Sequence, residues 1–431
     1  MFKYVIIALF IGFADQSFAS SVDLWDVYQQ ALKSDPTYAQ DFANALVTMD
    51  NVAIEKAGLL PNISLTGSAT ETHAEQGNPI NNGTNDEYSL ALTQPIFNYG
   101  IWLTYQSSQL SAKSASATLA ANLQDLMART ANAYIAEALS QKIAVLNQGY
   151  LESLQAEFKQ TQLLYRAGLA KGADLSSAQA SVANAQVEVI SANANEVIAQ
   201  SQLQAITGVP YNDIALLKTS PNQLKVTDNL QTFLNQAKLQ NLNLLAARFA
   251  MLAAKSNIAV EHAGHYPQLD ADLSYSGNQS NNNGLGNTNS NGGTAGLSLT
   301  LPIYQGGLVV AQTTQALHQY QSDLAQYVIT YRQTIQQTQQ GYTDLLSSLQ
   351  KMYAGQIAVN ANQENYKQME ISYQAGIRTM VDVLLAKQNL YQAKLSLLDA
   401  EYGVLTSYIE LKQALGTLSV NDLLAINRLL G

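Results

Sequence analysis

No cysteine occurs anywhere in the 431 residues. Disulfides, thiolate chemistry, Cys-ligated zinc and a lipidated N-terminal Cys are therefore excluded. Charge is scarce as well, with Asp, Glu, Lys and Arg making up only 13%, well short of the share an ordinary soluble domain carries. Much of the surface is expected to meet something other than open water. The charge that exists is acidic, net −10, against the basic surface a nucleic-acid partner requires. Past the first residues no run approaches the ~18 apolar residues of a membrane helix, so a membrane location would have to be reached with strands. No nucleophile–base signature is present. The stretch from Gly286 to Gly293 lacks the Lys-Ser/Thr ending of a phosphate-binding loop.

The N-terminus has an export pattern. Lys3 is followed by an apolar run from Tyr4 to Phe13, with small residues at Ser17 and Ala19. A basic start, a short apolar core and a small-x-small exit describe a secretory signal peptide over 1–19. The mature chain then begins at Ser20. Removing Lys3 and Asp15 leaves 21 basic and 31 acidic residues, still −10.

The remainder reads as two copies of one unit, residues 20–221 and 222–431. Leu24 and Ala31 recur as Leu230 and Ala237, and Leu60-Pro61-Asn62 as Tyr266-Pro267-Gln268. The segment Leu90–Phe97 recurs as Leu297–Tyr304. Ala167-Gly168, Asp174 and Gly208 recur as Ala375-Gly376, Asp382 and Gly416. The offset stays between 206 and 208, far longer than a solenoid period, so each copy is half a protein.

Proline is confined to the first 302 positions, with none between Pro95 and Pro210 or after Pro302. Two long proline-free windows rich in Ala, Gln and Leu are helix territory. Gly168 and Gly376 interrupt them, so each window is expected to be a helical hairpin, about 99–208 and 305–416. The longer arms would span ~100 Å. The returning arms carry heptads. Leu175, Ala178, Val182, Ala185, Val189 and Ala192 run on one, and Val383, Ala386, Leu390, Ala393, Leu397 and Ala400 on the other. A core stripe of a helical bundle would show the same spacing.

Between the helices the period drops to two. Leu269, Ala271, Leu273 and Tyr275 alternate with Asp270, Asp272 and Ser274, and Asn62–Thr70, Tyr88–Thr93 and Leu297–Ile303 alternate likewise. Two strand hairpins are expected, near 62–97 and 268–304, with Gly/Asn-rich loops over 74–86 and 277–294. Four strands cannot close a membrane barrel, because closure starts at ~8. An open edge in lipid leaves backbone groups unpaired. Several chains must pool strands, with two or three copies equally compatible, and Asp270 and Asp272 would face water inside.

At this point the chain resembles the TolC family of outer-membrane efflux and secretion proteins over nearly its whole mature length. The carrying residues are the duplicated plan, Leu301–Gly307, Tyr373–Leu384 and Ala414–Ala425. The missing Cys separates it from the family's lipid-anchored branch. The resemblance implies an α+β membrane protein: a homotrimer with a 12-stranded transmembrane β-barrel in outer-membrane lipid, four strands per chain. A long α-helical coiled-coil barrel would continue it through the periplasm. It implies docking to a periplasmic adaptor and to an inner-membrane RND pump or ABC exporter, for multidrug efflux or type I protein secretion.

By the same resemblance the periplasmic end is shut by links that map to Asp174 on one hairpin and to Tyr373 and Arg378 on the other. A further link partner maps to Ala173, which cannot take part. Asp382 maps to a constricting acidic ring, whose second member falls at Leu385. Ala167, Gly168, Leu169, Ala375, Gly376 and Ile377 map to adaptor-docking turns. Simpler roles compete at each position. Asp174 is placed to cap its own helix, Thr379 and Asp382 to form a capping box, and the glycines to end helices.

His262 and His265 share a helical face but have no third ligand beside them, so no metal or other cofactor is expected. An exported coiled-coil scaffold without a pore is the main alternative, disfavoured because a filament has no use for apolar strand faces. An enzyme is disfavoured because few residues converge outside the repeat.

Overall fold

The computed structural model describes residues 21–73, 83–224, 228–282 and 286–430. The expected signal peptide and the stretch 74–82 of the first expected loop lie outside these. Short helices α1 (Leu24–Ser34) and α2 (Pro36–Ala57) lead into strands β1 (Asn62–Thr72) and β2 (Gly83–Asn98). A hairpin of α3 (Tyr99–Arg166) and α4 (Gly172–Thr207) follows. The elements then recur in the same order: α5 (Leu230–Gln240), α6 (Leu242–His262), β3 (Gln268–Asn282), β4 (Gly286–Thr300), α7 (Leu308–Gln374) and α8 (Met380–Leu415). A short α9 (Val420–Asn427) closes the chain.

Local chemistry sets the helix ends. Asn98 caps α3 by accepting from the Ile101 N–H at 3.1 Å. The 68 residues of α3 extend about 100 Å at 1.5 Å per residue. At its far end Gly168 takes φ +73°, and the Gly168 and Leu169 N–H groups return to the Tyr165 and Leu164 carbonyls. This is the left-handed glycine termination in which orphan carbonyls are satisfied. Gly376, at φ +75°, ends α7 with the same two bonds, to Tyr373 and Ser372.

The four strands form one antiparallel sheet in the order β1-β2-β3-β4. Its register aligns the alternation across all of them. Ile63, Leu92, Leu273 and Ala295 make one cross-strand row, and Leu65, Leu90 and Tyr275 another. The large apolar residues of these rows therefore share one face. Asp272, Thr93 and Asn62 share the other, where the Thr93 hydroxyl donates to Asp272 Oδ1 at 2.9 Å. Pro95 lacks an N–H to donate, and it sits past the end of the β1 ladder beside a bulge at Pro95/Phe97.

One expectation needs correction. Residues 277–282 and 286–294, expected as loop, continue the strands, and so do 83–86. Asn278 pairs with Ser290 and Asn281 with Asn287. Backbone ladder bonds carry this extension despite poor strand propensity, because a neighbouring strand is already in register.

Below the sheet α2, α3, α6 and α7 lie side by side in that order. The main core lies lower, where Leu24, Val27, Leu126, Tyr134, Leu203, Tyr402, Leu405 and Ile409 are buried together. Tyr134 donates to the Ala215 carbonyl at 2.8 Å, fastening the connection after α4 to α3. In α4 the heptad alanines Ala178, Ala185, Ala192 and Ala199 are buried, so the arms of the hairpin approach closely. On the outer side of α4, Val187, Ile190 and Val197 form a second apolar stripe, at least 60% exposed.

Candidate functional site

Three features stand out: the sheet, the hairpin tips and a groove in the helical layer. On the sheet, Ile63, Leu65, Leu297 and Leu299 are 67–74% exposed. A continuous apolar face of this kind marks a surface covered by lipid or protein. The outer edges of β1 and β4 have no neighbour among the described residues. No helix among the described residues is long and apolar enough to cross a membrane.

At the tips the structure separates the expected residues into groups. Asp174 stands at the third position of α4 and accepts from the Lys171 N–H at 3.3 Å. A lysine side chain has no acceptor, so only this half of a capping box exists. Tyr373, near the end of α7, packs on a small apolar cluster. Its phenol is pushed up by burial first and then by the negative charge of Asp174. Asp174 and Arg378 form no ion pair among the described residues.

Asp382 completes a full capping box with Thr379. The Thr379 N–H and hydroxyl both reach its Oδ2 at 2.9 Å, and the Asp382 N–H returns to the hydroxyl at 3.3 Å. Those bonds hold the carboxyl below its ordinary range, helped by the nearby Arg378 charge. The capping reading of Asp382 is thus realised, and its carboxylate still faces solvent. Leu385 is exposed beside it. Beyond the turn glycines, Leu169 and Ile377 project apolar side chains that are 76% and 77% exposed, while Ala167 and Ala375 sit at the helix ends.

The third feature is a groove of about 590 Å³ across α2, α3, α6 and α7, lined by Asp41, Asn44, Ser111, Thr118 and Asp323. Ala45, Ala115, Leu119, Ala250 and Ala253 line it as well, so its surface is mixed rather than apolar like the sheet's face. His262 and His265 have ring centroids 5.6 Å apart, stacked edgewise, and no group of three metal-binding side chains forms among the described residues.

Sequence reasoning missed a contact between the hairpins. Glu157 of α3 and Lys387 of α8 form an ion pair with side chains only 14% and 11% exposed, and Tyr366 of α7 donates to the same carboxylate oxygen at 3.3 Å. The available signal was positional. Lys387 falls between Leu384 and Leu390, and Glu157 between Leu154 and Thr161, so each charge interrupts a buried stripe.

An amphipathic sheet carried on two hairpins of about 100 Å is the architecture of a channel protein. The sequence profile described as "Outer membrane efflux protein" matches residues 27–209 and again 233–417. The outer membrane protein TolC of Escherichia coli is 30% identical over 99% of this chain and 89% of its own length. The proteases secretion protein PrtF of Dickeya chrysanthemi is 26% identical over 98% of this chain and 94% of its own. The Campylobacter jejuni CmeC outer membrane channel has the same fold, with a TM-score of 0.78 at 16% identity over 94% and 90% of the two chains. The chain belongs to the outer membrane efflux protein family.

Proposed function

We propose that three copies of this chain pool their strands into a barrel in the outer membrane and their hairpins into a periplasmic tunnel. The observation that carries this reading is the sheet: four strands, an exposed face whose rows Ile63–Leu92–Leu273–Ala295 and Leu65–Leu90–Tyr275 are apolar, and two edges without a neighbour among the described residues. Three copies of a four-stranded sheet give about twelve strands, within the range of closed barrels. Closure satisfies the edges of β1 and β4, which lipid cannot do. The apolar face then meets lipid, and the Asp272 face meets water in the lumen. The groove on the helical layer continues that lumen. The second apolar stripe of α4 becomes a seam against a neighbouring copy.

The duct serves efflux or type I secretion. An adaptor docks on the Leu169 and Ile377 turns and links it to an inner-membrane RND pump or ABC exporter. The closed tip rests on Tyr373 and Arg378 reaching Asp174, with Asp382 as an acidic ring in the pore. In the scaffold alternative no pore forms.

Light scattering of the protein extracted from outer membranes in mild detergent tests the assembly. A heat-resistant trimer with native β-content is expected. A monodisperse monomer retaining that β-content would rule out the pooled barrel.

A further inference from the structure

The face of the sheet that carries the apolar rows changes character along the strands. Followed up β3 it presents Leu269, Ala271, Leu273 and Tyr275, and then Gly277, Gln279 and Asn281. The apolar part, from Leu269 to Gly277, rises about 27 Å along the strand at ~3.4 Å per residue. At the tilt of a membrane barrel that becomes a height of about 21 Å, close to the ~25 Å apolar band such barrels present to lipid. The rows above it therefore stand outside the hydrocarbon, at the end of the sheet opposite the starts of α3 and α7.

Those upper rows are rich in amides. Asp86, Gln279 and Asn289 align across β2, β3 and β4, and Thr84, Asn281 and Asn287 align one row higher. All six are exposed. Ala69 and Glu71 continue the two rows on β1, and neither row contains Lys or Arg. At the foot of the rows Tyr88 reaches across to β3, where a Cβ on Gly277 would overlap its ring. Tyr275 lies beside Gly293 of β4, its ring 3.7 Å from where a Cβ would stand. Both tyrosines are about half exposed, so each offers a ring at the boundary between the apolar band and the amides.

We propose that this amide collar, with the Tyr88 and Tyr275 rings at its foot, binds the sugars of the lipopolysaccharide leaflet that surrounds the barrel. This rests on the outer-membrane barrel reading above, whose lipid-facing surface the collar continues outward. Sugar hydroxyls both donate and accept, and an amide side chain can answer both. Paired strands hold the amides at set spacings, about 6.8 Å along a strand and ~4.8 Å across. Less ordering is then lost on binding than at a free loop. The C–H faces of sugar rings find the tyrosine rings to pack on. Hydroxyls rather than phosphates are recognised, because Asp86 and Glu71 make the rows negative and like charges repel.

The test titrates the full-length protein in mild detergent with two probes, lipid A bearing its complete core oligosaccharide and lipid A alone, followed by calorimetry. The core-bearing form should bind at least about tenfold tighter, and the preference should persist at about 0.5 M salt. Gln279→Ala, Asn281→Ala and Asn289→Ala together should bring the two affinities level while leaving lipid A binding unchanged. Asn278→Ala with Ser290→Ala alters the opposite face at the same height and should keep the preference. Equal affinity of the wild type for both probes would overturn the collar. So would a preference lost at high salt, which assigns it to core phosphates, or one lost equally in the opposite-face variant. If the wild type binds neither probe and stays dispersed without detergent, the barrel reading fails and the collar falls with it.

Discussion

Gly416, just past α8, lies so close to Gln240, at the end of α5, that a Cβ on the glycine would stand 2.4 Å from the Gln240 carbonyl oxygen. Its counterpart Gly208 has the same φ of +74°, but an added Cβ there would meet nothing nearer than Ser34 Cβ at 3.9 Å. Gly208→Ala should therefore cost only the left-handed strain, about 1 kcal/mol. Gly416→Ala adds a backbone clash that no side-chain rotation relieves, so its cost should exceed that of Gly208→Ala by roughly 2 kcal/mol or more. Thermal melting of the two variants measures the difference. Equal melting temperatures would show that the α5–α8 junction yields freely.

A pH dependence follows from Glu137 of α3. The residue is 1% exposed, its Oε2 has no hydrogen-bond partner among the described residues, and Gln141 approaches Oε1 only at 3.4 Å. Burial first, and the charge of Glu196 second, push its carboxyl up to about 7 from 4.5. Between those two values the folded chain holds a proton that the unfolded chain has released. Stability therefore falls as pH rises from 4.5 to 7 and levels off above. The loss is up to about 3 kcal/mol per chain. Glu137→Gln should melt higher than wild type at pH 8 and match it near pH 4.5. A constant offset at both values would mean that Glu137 ionises freely in the fold.

Docking is tested best without touching the glycines, since any side chain at φ +73° or +75° strains the turn itself. Leu169→Asp with Ile377→Asp changes only exposed apolar side chains. Export should be abolished while the trimer stays in the membrane. Undiminished export would assign the turns a purely structural role.

The gate prediction separates closure from selectivity. Tyr373→Phe with Arg378→Ser removes two donors proposed to hold the tip, each worth only about 1 kcal/mol, so conductance should rise while trimer stability barely changes. Asp382→Asn should weaken cation preference without widening the pore, because the ring charge is lost at constant size. Unchanged conductance and selectivity would leave both sites as helix caps and place closure elsewhere.

Much of this molecule follows from local rules that the chain carries in linear order. Proline-free, alanine-rich windows became α3–α4 and α7–α8 because nothing in them interrupts the backbone ladder. Thr379 and Asp382 close a capping box three residues apart, and period-two alternation sorts the strand faces whatever the pairing. Tertiary structure decided what depends on distant partners. Asn278 and Ser290 became strand because a registered neighbour offered its ladder. Gly208 and Gly416 share one sequence role, yet only at Gly416 does another helix end come within clashing distance of an added Cβ, Ser34 at the end of α1 standing 3.9 Å from the one at Gly208. Glu157 and Lys387 are 230 residues apart, each flanked along its helix by buried residues, Leu154 and Thr161 on one and Leu384 and Leu390 on the other. Only the packing of α3 against α8 turns two costly buried charges into a pair.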